Sequence, residues 1–226
     1  GAVEAAVEVD VAAGVQRIRL RGRRDRQDTG IGRTDCRWDR VAATALGGLG
    51  MTVLMAECTG LWRRTLIIEA DGTHDTAPGV WWLQGPTAYV DSRGFAGTLS
   101  QDGSVFQWYR AVDVQPPGPF PDEGEMAWDG DILIETGVHE DYVEHWVRDP
   151  VATTPAGALF LAGPGSSAGV LVRAGDLFAW ADPGGVAFGP VGGPEWAALG
   201  FTRSGVEVQA NGVHWTIDDF EGNVEL

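Results

Sequence analysis

The densest run of chemically capable side chains in this chain is His139 to Arg148, H-E-D-Y-V-E-H-W-V-R. Read as a β-strand, its side chains alternate between two faces. One face carries His139, Asp141, Val143, His145 and Val147; the other carries Glu140, Tyr142, Glu144, Trp146 and Arg148. Neither face is plainly apolar, so a half-buried sandwich strand is a poor description. A barrel wall lined by polar and aromatic groups suits it better. Glu144 and His145 are the candidate acid–base groups, and as neighbours they point opposite ways, so only one can look inward. Tyr142, Glu144 and Trp146 make the better binding wall, because the rings contribute area and the carboxylate fixes orientation.

Other strand-like runs repeat the pattern. Tyr89, Asp91 and Arg93 share a face, as do Phe106, Trp108 and Arg110. Gln84 ends the run V-W-W-L-Q. An Arg and a Tyr on one strand facing a Glu on another could bind an anion or polarise a carbonyl, or could simply form a structural ion pair. Four His are present, and on a strand His139 and His145 stand about 20 Å apart, too far to share one ion. No metal site and no cofactor are expected. G-x-S-x-G is absent, and G-P-G-S-S at Gly163–Ser167 lacks the Lys of a phosphate loop.

These groups need elements to hold them. From Leu61 onward, short alternating runs follow one another between turn signals: Trp62–Glu69, Val80–Gln84, Ala88–Arg93, Phe95–Leu99 and Val105–Val114 come first. The proline-rich stretch Pro116–Pro121 must be a loop. Hairpins around Asp129-Gly130 and the later meanders at 158–181 and 206–217 continue the series. Pro183–Pro194 reads as a surface loop, and Pro194–Leu199 as one short helix. Consecutive strands with short connections favour antiparallel neighbours, and closing the meander removes its exposed edges. The expected fold is all-β: an antiparallel up-and-down β-barrel over residues 51–226, with 183–226 supplying closing strands and a two-sheet sandwich as the alternative.

Residues 1–50 differ in texture. They hold nine Arg against seven acids, whereas 51–226 hold seven Arg against 25 acids. They read as an irregular N-terminal extension, either poorly ordered and non-native or a basic arm for an acidic surface. The whole chain of 226 residues carries a formal charge of −16 and no Lys. That makes nucleic acid an improbable partner and excludes lysine Schiff-base chemistry. Two Cys point to a reducing, cytoplasmic setting. No apolar run of about 18 residues is present, so no membrane span is expected.

W-R-R at Trp62–Arg64, W-L-Q at Trp82–Gln84, Y-V-D-S-R at Tyr89–Arg93 and E-H-W at Glu144–Trp146 resemble, in this order, the lipocalin-like barrel proteins of the poorly characterised bacterial branch. The resemblance covers about residues 60–182. It implies an antiparallel calyx with an internal pocket, used in such barrels for carrying small molecules and in some for cyclase, isomerase or hydratase chemistry. The function expected is binding of a partly apolar or aromatic small molecule, with a cofactor-independent enzyme as the competing reading and the oligomeric state open.

Overall fold

Strands that alternate large indoles with small or polar residues can present one face to a barrel interior and the other to a second layer. The computed structural model describes residues 51–76, 79–116 and 118–226. The N-terminal extension, with its arginine-rich stretch and Cys36, lies outside the described residues.

Eight strands close into an antiparallel barrel. They are β1 (Gly60–Ile68), β3 (Trp81–Gln84), β4 (Ala88–Asp91), β5 (Phe95–Asp102), β6 (Val105–Asp113), β7 (Glu123–Asp129), β8 (Ile132–Gly137) and β9 (Val143–Arg148); β2 (His74–Asp75) is a short hairpin partner of β1. Closure comes from β1, which pairs with β3 on one side (Trp62 opposite Trp82) and with β9 on the other (Arg64 opposite Trp146).

The barrel is therefore complete by Arg148, earlier than the sequence reading placed it. The strands after Pro155 build a separate sheet instead of supplying closing strands. It contains β10 (Ala156–Ala162), β11 (Ala168–Ala174), β12 (Leu177–Asp182), β13 (Gly185–Pro190), β14 (Thr202–Ser204), β15 (Glu207–Ala210) and β16 (Val213–Gly222), in the order β13-β12-β11-β10-β16-β15-β14. The expected loop at Pro183–Pro194 contains β13, whose G-V-A-F-G-P pairs in full register with β12. Its glycines and prolines hid the alternation. The expected helix Pro194–Leu199 is present as α1, with Gly200 in the left-handed conformation behind it.

The second sheet curls around Leu159, Leu171, Phe178, Trp180 and Trp215. Its other face, with Ala158, Val170 and Val172, packs on the outside of the barrel against Leu83, Val90, Ala96 and Val112. That contact explains why β4 is buried at every position. Tyr89 and Asp91 look into the barrel while Ala88 and Val90 meet the second sheet.

Inside, the barrel is filled. Trp82 meets three other indoles, lying 5.7 Å from Trp62, 6.2 Å from Trp108 and 5.7 Å from Trp146, centroid to centroid. Edge and stacked contacts of this kind add about 0.5–1.5 kcal/mol each beyond area burial. One end is sealed by residues 51–58. Val53 and Cys58 are buried there, and Gln101 clamps the segment by donating to the Val53 carbonyl (2.7 Å) and accepting from the Met55 amide (2.9 Å). Burial pushes the Cys58 thiol up to about 12, so it is a packing group and not a nucleophile.

Candidate functional site

The opposite end of the barrel carries the polar groups. Strands β6 and β7 pair only between Val105–Gln107 and Glu123–Glu125. Beyond that point the proline-rich loop, which cannot continue the ladder, swings away. The two walls part and leave a cavity of about 300 Å3 at the rim. Four aromatic side chains line it: Trp108, Tyr109, Phe120 and Tyr142. Asp122, Glu123 and Glu140 supply carboxylates, and Gln107, Arg110 and His139 complete the polar set.

His139 belongs to the turn before β9, because that strand begins at Val143 and not at His139. The turn is fixed by the Tyr142 amide donating to the Glu140 carbonyl (3.0 Å) and the Gly137 amide donating to the Tyr142 carbonyl (3.1 Å). It swings the His139 ring onto Phe120 (5.6 Å, nearly parallel) and sets Nε2 2.8 Å from Glu123 Oε2.

Beside the cavity lies an ionic network built on the buried carboxylates Asp91 and Glu144. Arg64 Nη1 donates to Glu144 Oε1 at 2.5 Å, and Arg93 Nη1 approaches the same oxygen at 3.4 Å. Arg93 also forks onto Asp91, with Nε to Oδ1 at 3.0 Å and Nη2 to Oδ2 at 2.9 Å. The Arg93 side chain keeps 36% of its surface in contact with solvent; partial desolvation works against its charge, but Asp91, Glu144 and Glu135 more than offset it and hold its pKa raised. Arg110 donates to Asp113 (2.9 Å) and Asp122 (2.7 Å), and its guanidinium lies 3.9 Å from the Phe95 ring centroid.

The most perturbed carboxyl is Glu135. It accepts from the Tyr142 hydroxyl at 2.9 Å and from Trp146 Nε1 at 3.1 Å. Burial first, and the neighbouring Glu144 charge second, push its pKa up from 4.5 to about 8. Burial, followed by Glu135, likewise raises the Tyr142 phenol. Glu135, Asp91, Arg93 and Asp122 border an inner hole of about 10 Å3, the size of one water. Trp108 and Asp122 line both this hole and the rim cavity, so the two adjoin. Such a site can hold a small molecule against aromatic walls and exchange a proton with it through Tyr142 and Glu135.

The structure brings Asp91, Arg93, Trp108, Arg110, Tyr142, Glu144 and Trp146 together at this end. Gln84 and Tyr89 are buried but border neither cavity. Gln84 Oε1 accepts from Trp82 Nε1, and Tyr89 packs on Phe95 with its hydroxyl unpartnered among the described residues. His145 stands on the outer face, because strand alternation gives the interior to Glu144 and Trp146. The two candidate acid–base groups are thus on opposite sides of the wall, and His145 cannot serve the site. Sequence reasoning missed Glu135, Arg64, Asp122 and Phe120. The first two were legible: Glu135 shares a strand face with Leu133, and Arg64 shares one with Trp62.

No protein-family model matches this chain, and no curated protein matches it. Among solved structures, it is similar to the crystal structure of an uncharacterized protein from Saccharomyces cerevisiae, at 14% identity and a TM-score of 0.45, over 72% of this chain and 98% of that one.

Proposed function

We propose that this chain is a lipocalin-like barrel that binds a small, partly aromatic organic molecule, held at the rim and not in the barrel's centre. The observation that carries the reading is the rim cavity of about 300 Å3, walled by Trp108, Tyr109, Phe120 and Tyr142 and adjoining, through Trp108 and Asp122, the hollow that Asp91 and Arg93 border. That volume is at the lower edge of ordinary ligand pockets, and its mixture of rings and a few placed polar groups is typical of them. The indoles of Trp62 and Trp82, packed face to face in the middle of the barrel, argue against a deep calyx ligand. No described helix is long and apolar enough to cross a membrane.

The test is native mass spectrometry of protein purified from its own host, wild type beside Tyr109→Ala and Phe120→Ala. Both rings are about half exposed, so neither replacement endangers folding. A small molecule retained by wild type and lost from the variants supports the reading. Identical spectra, with nothing retained by any of the three, would overturn it.

A second reading, a cofactor-independent isomerase, cyclase or hydratase, is favoured by one observation. Glu135 is a carboxyl that holds its proton near neutral pH and is hydrogen-bonded to a phenol on the cavity wall. In this reading Glu135, and not Glu144 or His145, moves the proton, while Glu144 positions Arg64 and Arg93. Chemical change of the retained molecule on incubation with wild type, abolished in Glu135→Gln, marks the enzyme. Its recovery unchanged marks the carrier.

A further inference from the structure

Resting on the rim-cavity reading above, we infer that the molecule taken there is an organic cation, an amine or quaternary ammonium bearing an apolar or aromatic group. The charge balance of the cavity wall points that way. Three carboxylates, Asp122, Glu123 and Glu140, face one guanidinium, that of Arg110, and one imidazole, that of His139.

The three arginines at this end are already engaged. Arg110 is held between Asp113 and Asp122, Arg93 by Asp91 and Glu144, and Arg64 by Glu144. An anion entering the cavity would meet no guanidinium that is not already paired, and it would have to displace a carboxylate to gain one. A cation meets the opposite arrangement. Glu140 is exposed at the rim and makes no ion pair among the described residues, and Glu123 offers the oxygen that His139 does not take.

The aromatic walls fit the same ligand class. Ring faces carry negative quadrupole density and attract ammonium groups, most strongly where water is thinned out. Trp108 is 8% exposed and forms the floor, while Tyr109 and Phe120 stand about half exposed at the mouth. A cation drawn in by the rim carboxylates would lose water as it descends between these rings. The −16 charge of the whole chain adds a long-range field of the same sign.

Three probes separate the possibilities: the isosteres phenyltrimethylammonium (cation) and tert-butylbenzene (neutral), with benzoate as the anion. Each is titrated into the full chain and followed by quenching of tryptophan fluorescence. Phenyltrimethylammonium should bind at least about tenfold more tightly than tert-butylbenzene, and benzoate should not saturate. The cation's affinity should fall as salt is raised from low to about 0.5 M. It should also drop severalfold in Glu140→Gln and in Tyr109→Ala, both exposed positions where folding is not at stake.

Equal or tighter binding of tert-butylbenzene or benzoate would overturn the cation class and leave the rim cavity standing as a binding site. Absence of saturable binding by all three probes would also overturn the cation class. The fate of the cavity reading is then decided separately, by the retained-ligand mass spectra of wild type and the two rim variants.

Discussion

Tyr142 donates its hydroxyl to Glu135 at 2.9 Å, joining a ring on the cavity wall to the one carboxyl of the barrel network whose proton is held near neutral pH. Burial is the larger cause of that raised pKa and Glu144 the next. The folded chain therefore holds this proton more tightly than the unfolded chain, where the ordinary value is 4.5. The stability it contributes is complete below about pH 4.5 and is lost as pH rises through about 8. Glu135→Gln has no such proton. Urea-unfolding free energies measured from about pH 5 to 8 should fall in wild type and stay flatter in the variant. Parallel slopes in the two proteins would remove Glu135 as the titrating group.

Tyr142→Phe tests the other half of the pair. The phenol's hydrogen bond favours the ionised carboxylate and lowers the Glu135 pKa. Without it, the midpoint of that pH dependence should move upward, and the fold should lose about 0.5–1.5 kcal/mol, as for an ordinary hydrogen bond. A downward shift, or none, would show that the contact does not govern the carboxyl.

Much of this arrangement was legible in the residues, and what was not has physical reasons. The closed antiparallel barrel follows from short alternating runs joined by turn residues, and the alternation alone selected Tyr142, Glu144 and Trp146 as one face. Three things were hidden. Where the barrel ends was hidden because the second sheet uses the same period-two texture. β3 and β4 face a barrel on one side and that sheet on the other, so their outer residues Leu83 and Val90 are as apolar as an inner set. The site's position was hidden because aromatic residues fill as readily as they line. Only packing shows that Trp62 and Trp82 plug the middle while Trp108 floors a cavity. Asp122 and Phe120 were hidden in a proline-rich loop, where no periodicity assigns a direction.

Glu144→Gln addresses the ionic network itself. Glu144 is 3% exposed and Arg64 14%, so removing the carboxylate leaves a largely buried guanidinium without its partner. The expected loss is about 3–5 kcal/mol by denaturant unfolding. The Glu135 midpoint should move down at the same time, because the like charge that helps raise it has gone. A stable variant with an unchanged Glu135 titration would mean that the two carboxyls do not share a field.

Gly97 tests how the rim is shaped. It lies in β5 at the register shift opposite β6, where Gly97 sits across from Arg110. A Cβ at this position would overlap the Tyr109 carbonyl oxygen and press on the Ala111 amide, both backbone atoms that no rotamer change can move aside. Gly97→Ala should therefore cost about 1–3 kcal/mol or more and displace Tyr109 and Arg110 from the cavity wall. Retained-ligand mass spectra should show loss of the bound molecule even where the fold survives. Unaltered stability together with unaltered retention would mean that the bulge plays no part in forming the site.

The contact between barrel and second sheet yields a prediction about cooperativity. Leu83 is fully buried, on the outer face of β3, in the layer shared with Val170 and Val172. Leu83→Ala opens a cavity there and should cost about 2–5 kcal/mol. Were the barrel independent, that loss would appear in the barrel strands alone. But the outer residues Leu83, Ala88 and Val90 of β3 and β4 are fully buried under the second sheet, so opening the barrel exposes Val90 and Ala96 and strips Val170 and Val172 of their cover in the same step. Amide protection in β4 and β11 should then fall together, by similar free energies, as expected of one cooperative unit. Loss of protection confined to β4, with β11 unchanged, would show that the second sheet holds its structure without the barrel. In that case its apolar face would have to be stable in water on its own, which the unbroken run of Ala158, Val170, Val172, Ala179 and Ala181 argues against.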